Sequence, residues 1–313
     1  MVVPGPGDGG QPTPSGAVGP TVARERLRAR LRELREHSGL STDVVAKRMD
    51  WSPSKLSRIE KGDVTIQPLE VRALLAFYKL DDDAEVTALT GLARQSRTRQ
   101  WYSKHRLNGD YQRFVAYEHE ASTINIWQVL FIPGLLQTPG YARALTALTL
   151  RSRPDDPNIE TRVELRLDRQ QAFRERIAGP NPPRLVVVID ESTLRRPVGG
   201  YRVMVEQLDH LMEVARQPAY SIGITPVDLL QHPGLSGTFE LLQFPGADPD
   251  VLFVEAAAGT DDLVVDPAMT ALYGDVMADL LAVAHTGDAA LEVIHSVRDD
   301  LDRRSAAAGA DRR

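Results

Sequence analysis

In "ARERLRARLRELREHSG", Leu27, Leu31 and Leu34 recur at three- and four-residue intervals with arginines between them. That period predicts an amphipathic helix, and Gly39 supplies its stop. Val45, Ala46 and Met49 form a shorter stripe behind Ser41, a good N-cap, and predict a second helix. Asp50 stands where the chain must turn sharply, and Asp enters the left-handed region more readily than most residues. A third helix is expected to start with Ser52 at its N-cap and Pro53 at its first position, where the missing N–H costs nothing. Leu56 and Ile59 are its inward stripe, and Gly62 its left-handed end. A fourth helix buries Val71, Leu74, Leu75 and Tyr78, and a fifth runs from about Asp82 to Arg97.

The pattern changes after "RQSRTRQ". Residues 105–121 read as a helix. In "STINIWQVLFIP", Ile124, Ile126, Gln128 and Leu130 alternate with Asn125, Trp127, Val129 and Phe131, as in a largely buried strand. Helices are expected from Pro139 and through "IETRVELRLDRQQAFRERI". Strands are expected at 184–190, 220–227, 237–244 and 251–255, with the helix "GGYRVMVEQLDHLMEVARQ" between the first two and "DPAMTALYGDVMADLLAVA" after the last. Helices and strands intermingle, so the expected fold is an all-α N-terminal domain of five helices (21–98) followed by a mixed α/β, or α+β, C-terminal domain (105–285). A tail at 1–20 and a C-terminal helix with a frayed end at 286–313 complete the predicted organisation.

A chain of 313 residues fits about two domains. It has no cysteine, which removes disulfides, thiolate nucleophiles and cysteine-ligated metal sites and fits a reducing compartment. No apolar run reaches membrane-spanning length, and "MVVPGPGDGGQPTPSGAVGP" lacks the basic and apolar regions of a secretory signal. A cytoplasmic protein with a flexible, Pro- and Gly-rich tail is expected. The formal net charge is −6, yet residues 24–62 carry eleven Lys and Arg against six Asp and Glu, and the chain beyond Gly62 carries −10. A basic module is joined to an acidic one, a sign asymmetry that points to a polyanion-binding end.

Two short helices joined by a tight turn make a helix-turn-helix. With Leu56 and Ile59 inward, Ser54, Lys55, Ser57 and Arg58 are left on the outer face. Short hydroxyls permit close approach to DNA, and Arg offers the fork that matches guanine in the major groove. Thr42 and Ser52, near helix N-termini, are placed for phosphate contacts. A solvated helix face is the ordinary reading of any one such surface; tandem helices, caps and basic bias together favour DNA.

Catalytic and ligand-binding readings are weaker. Asp190, Glu191 and Glu255 end apolar strands, where catalytic acids often stand, but Asp190 or Ser192 can cap the next helix and Glu191 can pair with Arg195. No enzyme activity is expected. The seven histidines are dispersed, so no metal is expected either, and no phosphate-cradling glycine loop implies a cofactor. Trp127, Phe131, Tyr141 and Phe173 are core residues or the wall of an apolar pocket; Gln137 and Arg143, around a Pro-Gly turn, are candidate polar members of a pocket or partner interface.

Residues 31–80 resemble the phage-repressor-like, Cro/cI-type (XRE) helix-turn-helix family. The matching residues are Leu34-Arg35, Gly39-Leu40-Ser41, Val45-Ala46 and Ser54-x-Leu56-Ser57-x-Ile59-Glu60-x-Gly62. The resemblance implies that Ser54 and Arg58 face base edges, that Ser52, Lys55 and Ser57 lie at or near the DNA backbone, and that Arg35 pairs with Glu60 inside the module. Asp50 replaces the commoner turn glycine and Thr42 a frequent glutamine. Roughly residues 105–285, through "IPGLLQTPGYARA", "RVELRLDRQ", "VVIDESTLRRPVGG" and "VMVEQLDHL", resemble the uncharacterised C-terminal domain of actinobacterial, Streptomyces-like regulators of the same type. The resemblance implies a transcriptional regulator whose gene often lies beside one for a small partner protein.

The expectation is therefore a sequence-specific regulator that binds double-stranded DNA as a homodimer and senses a small ligand or partner protein through its C-terminal domain. An antitoxin-like adaptor that sequesters a small partner and autoregulates its operon is the alternative; an enzyme fused to a DNA-binding domain is a third.

Overall fold

Each apolar stripe of the first hundred residues closes a helix onto one core. The computed structural model describes residues 19–105, 107, 109–153, 156–235, 237–246, 248–254 and 262–310. Most of the tail expected at 1–20, and Glu255, lie outside them. The chain divides into two units between Arg99 and Gln100.

The first unit contains α1 (Pro20–His37), α2 (Thr42–Arg48), α3 (Pro53–Lys61), α4 (Pro68–Phe77) and α5 (Asp83–Gln95). Leu27 and Leu31 of α1, Val45 of α2, Leu56 and Ile59 of α3, Val71, Leu74 and Leu75 of α4, and Leu89 of α5 form its core. The caps follow from the sequence. Ser41 accepts the Val44 N–H at 3.3 Å, and Asp82 accepts those of Ala84 and Glu85. Asp50, in the turn between α2 and α3, has φ 55°, and Gly62 ends α3 at φ 84°.

The second unit is α+β. A 3-10 turn, Trp101–Lys104, precedes α6 (Gly109–Glu120), so the helix expected from residue 105 starts later. There follow β1 (Thr123–Gln128), α7 (Pro139–Leu150), α8 (Pro157–Ile177), β2 (Arg184–Asp190), α9 (Glu191–Arg195), α10 (Tyr201–Ala215) and β3 (Tyr220–Thr225). The remainder is β4 (Phe239–Gln243), β5 (Val251–Val254), β6 (Asp262–Val264), α11 (Pro267–Val283), β7 (His285–Thr286) and α12 (Asp288–Ala310).

The sheet order is β6-β5-β4-β1-β2-β3-β7, with β1, β2 and β3 parallel and every other pair antiparallel. The parallel strands are joined through helices, as such crossovers require. β1 is buried on both faces from Ile124 to Gln128, and its buried Asn125 is satisfied by donating to the Leu241 carbonyl at 3.3 Å. One face, bearing Trp127, Val188, Phe239, Leu241 and Leu252, packs on Met277 and Leu280 of α11. On the other, Phe253 stacks on Phe114 of α6 with ring centroids 4.0 Å apart. The C-terminal helix is not an appendage: α12 buries Ala290, Ile294, Val297 and Leu301 and packs against α10 and β3.

Two contacts set measurable expectations. The Trp127 indole N–H donates to the Gly234 carbonyl at 2.9 Å, and a Cβ on Gly234 would lie 2.4 Å from that ring. Because Trp127 is fully buried, Gly234→Ala is expected to cost about 1–3 kcal/mol, read from urea unfolding. The Trp101 indole N–H donates to His119 Nδ1 at 3.3 Å. Burial, reinforced by the nearby Arg176 charge, pushes the His119 pKa down from 6.5 to about 4. As pH falls from 6.5 towards 4, the unfolded chain takes up a proton that folded His119 refuses, so stability drops through that window. Thermal melts across it should show a shallower acid loss in His119→Phe than in the parent.

Candidate nucleic-acid interface

The period of α3 divides its side chains. Leu56 and Ile59 enter the core, Ser54, Arg58 and Lys61 are exposed, and Ser57 is half-buried. Ser52, also exposed, occupies the N-cap position without capping: its side chain accepts from none of the first amides of α3, and its hydroxyl lies 3.4 Å from that of Ser54. Hydroxyls and helix amides thus share the α3 N-terminus, where an anion is favoured. Thr42, half-buried, opens α2, which adds exposed Lys47 and Arg48.

Three contacts hold α3 at its inner and lateral sides. Arg35 of α1 makes a bidentate pair with Glu60, Nε to Oε1 at 2.6 Å and Nη2 to Oε2 at 3.1 Å, while its Nη1 donates to the Leu40 carbonyl at 3.0 Å. The side chains are only 12% and 9% exposed, and the hydrogen bonds that Arg35 donates to Glu60 raise the pKa of its guanidinium. Arg28 Nη1 donates to the Glu60 carbonyl at 3.3 Å.

The third contact corrects an expectation. Lys55 does not stand free on the outer face. Its ammonium lies 2.5 Å from Glu70 Oε1 and 4.2 Å from the centroid of the Trp51 ring. Glu70 is also the reciprocal member of a capping box, its other oxygen accepting the Gln67 N–H at 2.9 Å. Burial opposes ionisation of Glu70, but its bonds to Lys55 and Gln67 outweigh it and hold the pKa below the ordinary value. One carboxylate therefore starts α4 and ties α3 to it. The signal in the sequence is Gln67-x-x-Glu70 after Lys55, and sequence reading missed it.

Of the remaining candidate residues, the structure brings Gln137 and Tyr141 together at the backbone of Ile132, inside the core. Trp127 and Tyr141 are fully buried, the Tyr141 hydroxyl accepting the Ile132 N–H at 3.1 Å. Gln137 is buried and donates to the Ile132 carbonyl at 2.6 Å. Arg143 is exposed and paired with Glu160 at 2.6 and 3.0 Å. Of the carboxylates ending β2, Asp190 caps α9 through the Ser192 N–H at 2.9 Å, and Glu191 pairs with Arg195. No group of three His, Asp or Glu able to hold a metal occurs among the described residues, and no helix there is long and apolar enough to cross a membrane.

Removing one member of a buried, hydrogen-bonded ion pair strands the other. Glu60→Ala is therefore expected to lower the stability of the first unit by about 3 kcal/mol, and the paired change Arg35→Met with Glu60→Leu to recover most of it. Denaturant unfolding of the two variants and the parent measures both effects.

Residues 26–89 match a helix-turn-helix domain, and residues 111–296 match a domain of unknown function, DUF5753. No curated protein and no solved structure matches the chain. The first match covers most of α1, all of α2 to α4 and part of α5, and supports DNA binding by a regulatory protein. The second covers more than half of the chain, which therefore belongs to the DUF5753 family, with a helix-turn-helix domain ahead of the family's own domain.

Proposed function

We propose that this chain is a sequence-specific transcriptional regulator of the Cro/cI type, with α3 in the major groove of double-stranded DNA and the second domain sensing a partner protein or small ligand. The observation that carries the reading is the division of α3. Its apolar and acidic side chains, Leu56, Ile59 and Glu60, face inward, and Ser54 and Arg58 stand exposed, as do Lys47 and Arg48 of α2 and Lys61. Arg58 and Ser54 are assigned to base edges, with Ser52, Ser57 and Thr42 towards phosphates. Lys55 receives a different role from the one its sequence position suggests: neutralised by Glu70, it sets the position of α3. The proposal assigns no catalytic step. A homodimer would place two such helices in half-sites about one helical turn, roughly 34 Å, apart.

Selection of DNA ligands from a random duplex library with the purified protein tests this reading. The enriched sequences should share a motif repeated at that spacing. Arg58→Ala should cost about 1–3 kcal/mol on the selected site and relax preference at one base pair. Lys55→Met should weaken binding without changing the slope of affinity against salt, because its charge is already compensated, whereas Lys61→Ala or Lys47→Ala should reduce that slope. Failure to enrich any motif, or unchanged preference in Arg58→Ala, removes the proposal.

A further inference from the structure

The second unit has an apolar groove that the DNA-binding reading does not use. It lies between the loop at Gly234 and the first half of α11 and encloses about 190 Å³. Phe239 and Tyr273, edge to face at 4.8 Å, line it with Gly234, Met269, Leu272 and Val276. A cavity of about 150 Å³ holds a benzene ring, so this one has room for one large aliphatic or aromatic side chain. Apolar surface continues outward: Leu272 is 52% exposed, Met269 39% and Leu235, next to Gly234, 82%.

The segment that builds the groove carries one sign of charge. Between Arg216 and Arg298 the sequence has twelve Asp and Glu and no Lys or Arg. On α11, Asp266 precedes the groove residues and Asp275 and Asp279 follow Leu272 by three and seven positions, on neighbouring turns of the helix. All three are exposed, as is Asp262 on β6. Asp266 also accepts the Met269 N–H at 2.9 Å, which places its carboxylate at the groove's end.

The loop side is fixed. Gly234 accepts from Trp127, its own N–H donates to His232 Nδ1 at 3.1 Å, and His232 Nε2 lies 3.4 Å from Asp190 Oδ2. A groove with one wall pinned to the sheet core and the other a long helix is formed before any partner arrives, which lowers the entropic cost of docking.

We propose that this groove docks a protein partner through a basic segment whose single large apolar side chain enters the cavity while flanking Lys or Arg meet the aspartates. An apolar anchor surrounded by complementary charge is the usual division of labour at an interface, the anchor supplying affinity and the charges orientation and rate. The inference rests on the reading of the second domain as the sensing half of a regulator, and it names the chemistry of what is sensed.

A random peptide library displayed on phage and selected against the full-length protein tests it. Selected peptides should be rich in Lys and Arg around one Leu, Ile, Met, Phe or Trp. Their affinity should fall about tenfold or more in Leu272→Lys. It should fall with added salt in the parent, less so in Asp275→Lys with Asp279→Lys. It should not change in Leu148→Lys, a substitution at an exposed apolar residue of α7. Peptides without basic enrichment, no selectable peptide, or binding indifferent to Leu272→Lys overturns the proposal. A change of sedimenting mass in Leu272→Lys would show that a second copy covers the groove, and would also overturn it. Each variant is assayed in parallel on the selected DNA. Loss of peptide with DNA binding intact is the expected outcome for Leu272→Lys, while peptide binding by a parent protein that binds no DNA would sink the regulator reading and leave the groove standing.

Discussion

The carboxylate of Glu60 is one residue beyond Ile59, on the side of α3 that must face α1 if Leu56 and Ile59 are to reach the core. That side cannot tolerate a lone charge, and Arg35 meets it with two hydrogen bonds in the plane of the guanidinium. The same arginine reaches the Leu40 carbonyl in the link between α1 and α2. One buried pair thus fixes the rotation of α3 about its axis relative to the first helix and the link that follows it. Everything proposed for the outer face depends on this rotation. A helix free to roll would present Ser57 or Lys61 where Ser54 and Arg58 now stand.

Rotation alone leaves α3 free to tilt, and the second constraint acts there. Glu70 is held in place by its own helix, because it closes the capping box with Gln67, and it then attracts Lys55. Trp51 lies beneath the same ammonium and packs on the core beside the turn. A lysine that would otherwise add to the exposed positive charge is committed to the protein. The exposed positive charge of the pair α2 and α3 is consequently carried by Lys47, Arg48, Arg58 and Lys61.

In the second domain the corresponding role belongs to Trp127. It is buried on the central strand, and its one polar atom needs an acceptor that the neighbouring strands, engaged in ladder bonds, do not offer. Gly234 supplies it, and only a residue without Cβ can approach the ring so closely. The loop leading into β4 is thereby drawn against the sheet, and the space between it and α11 becomes a groove rather than a filled core. Asp190 and His232 belong to this anchoring, with Asp190 also capping α9.

The sequence alone indicates the five helices of the first domain, the caps at Ser41 and Asp82, the left-handed turns at Asp50 and Gly62, and the separation of Leu56 and Ile59 from Ser54 and Arg58. These follow from periodicity and local capping, which act within a turn or two of the chain. It also determined β1 to β5 and most helices of the second domain, with ends displaced by a few residues. It did not show β6 or β7, of three and two residues, because strands that short carry no alternation and exist only by pairing with β5 and β3. Nor did it show that α12 belongs to the core of the second domain, since an apolar stripe reports a buried face but not what buries it. The tertiary structure decided the partners: Lys55 with Glu70, Trp127 with Gly234 across 107 positions, and Gln137 and Tyr141 with Ile132. Periodicity specifies the side of an element on which a residue lies, and only the packing of distant elements specifies which group waits there.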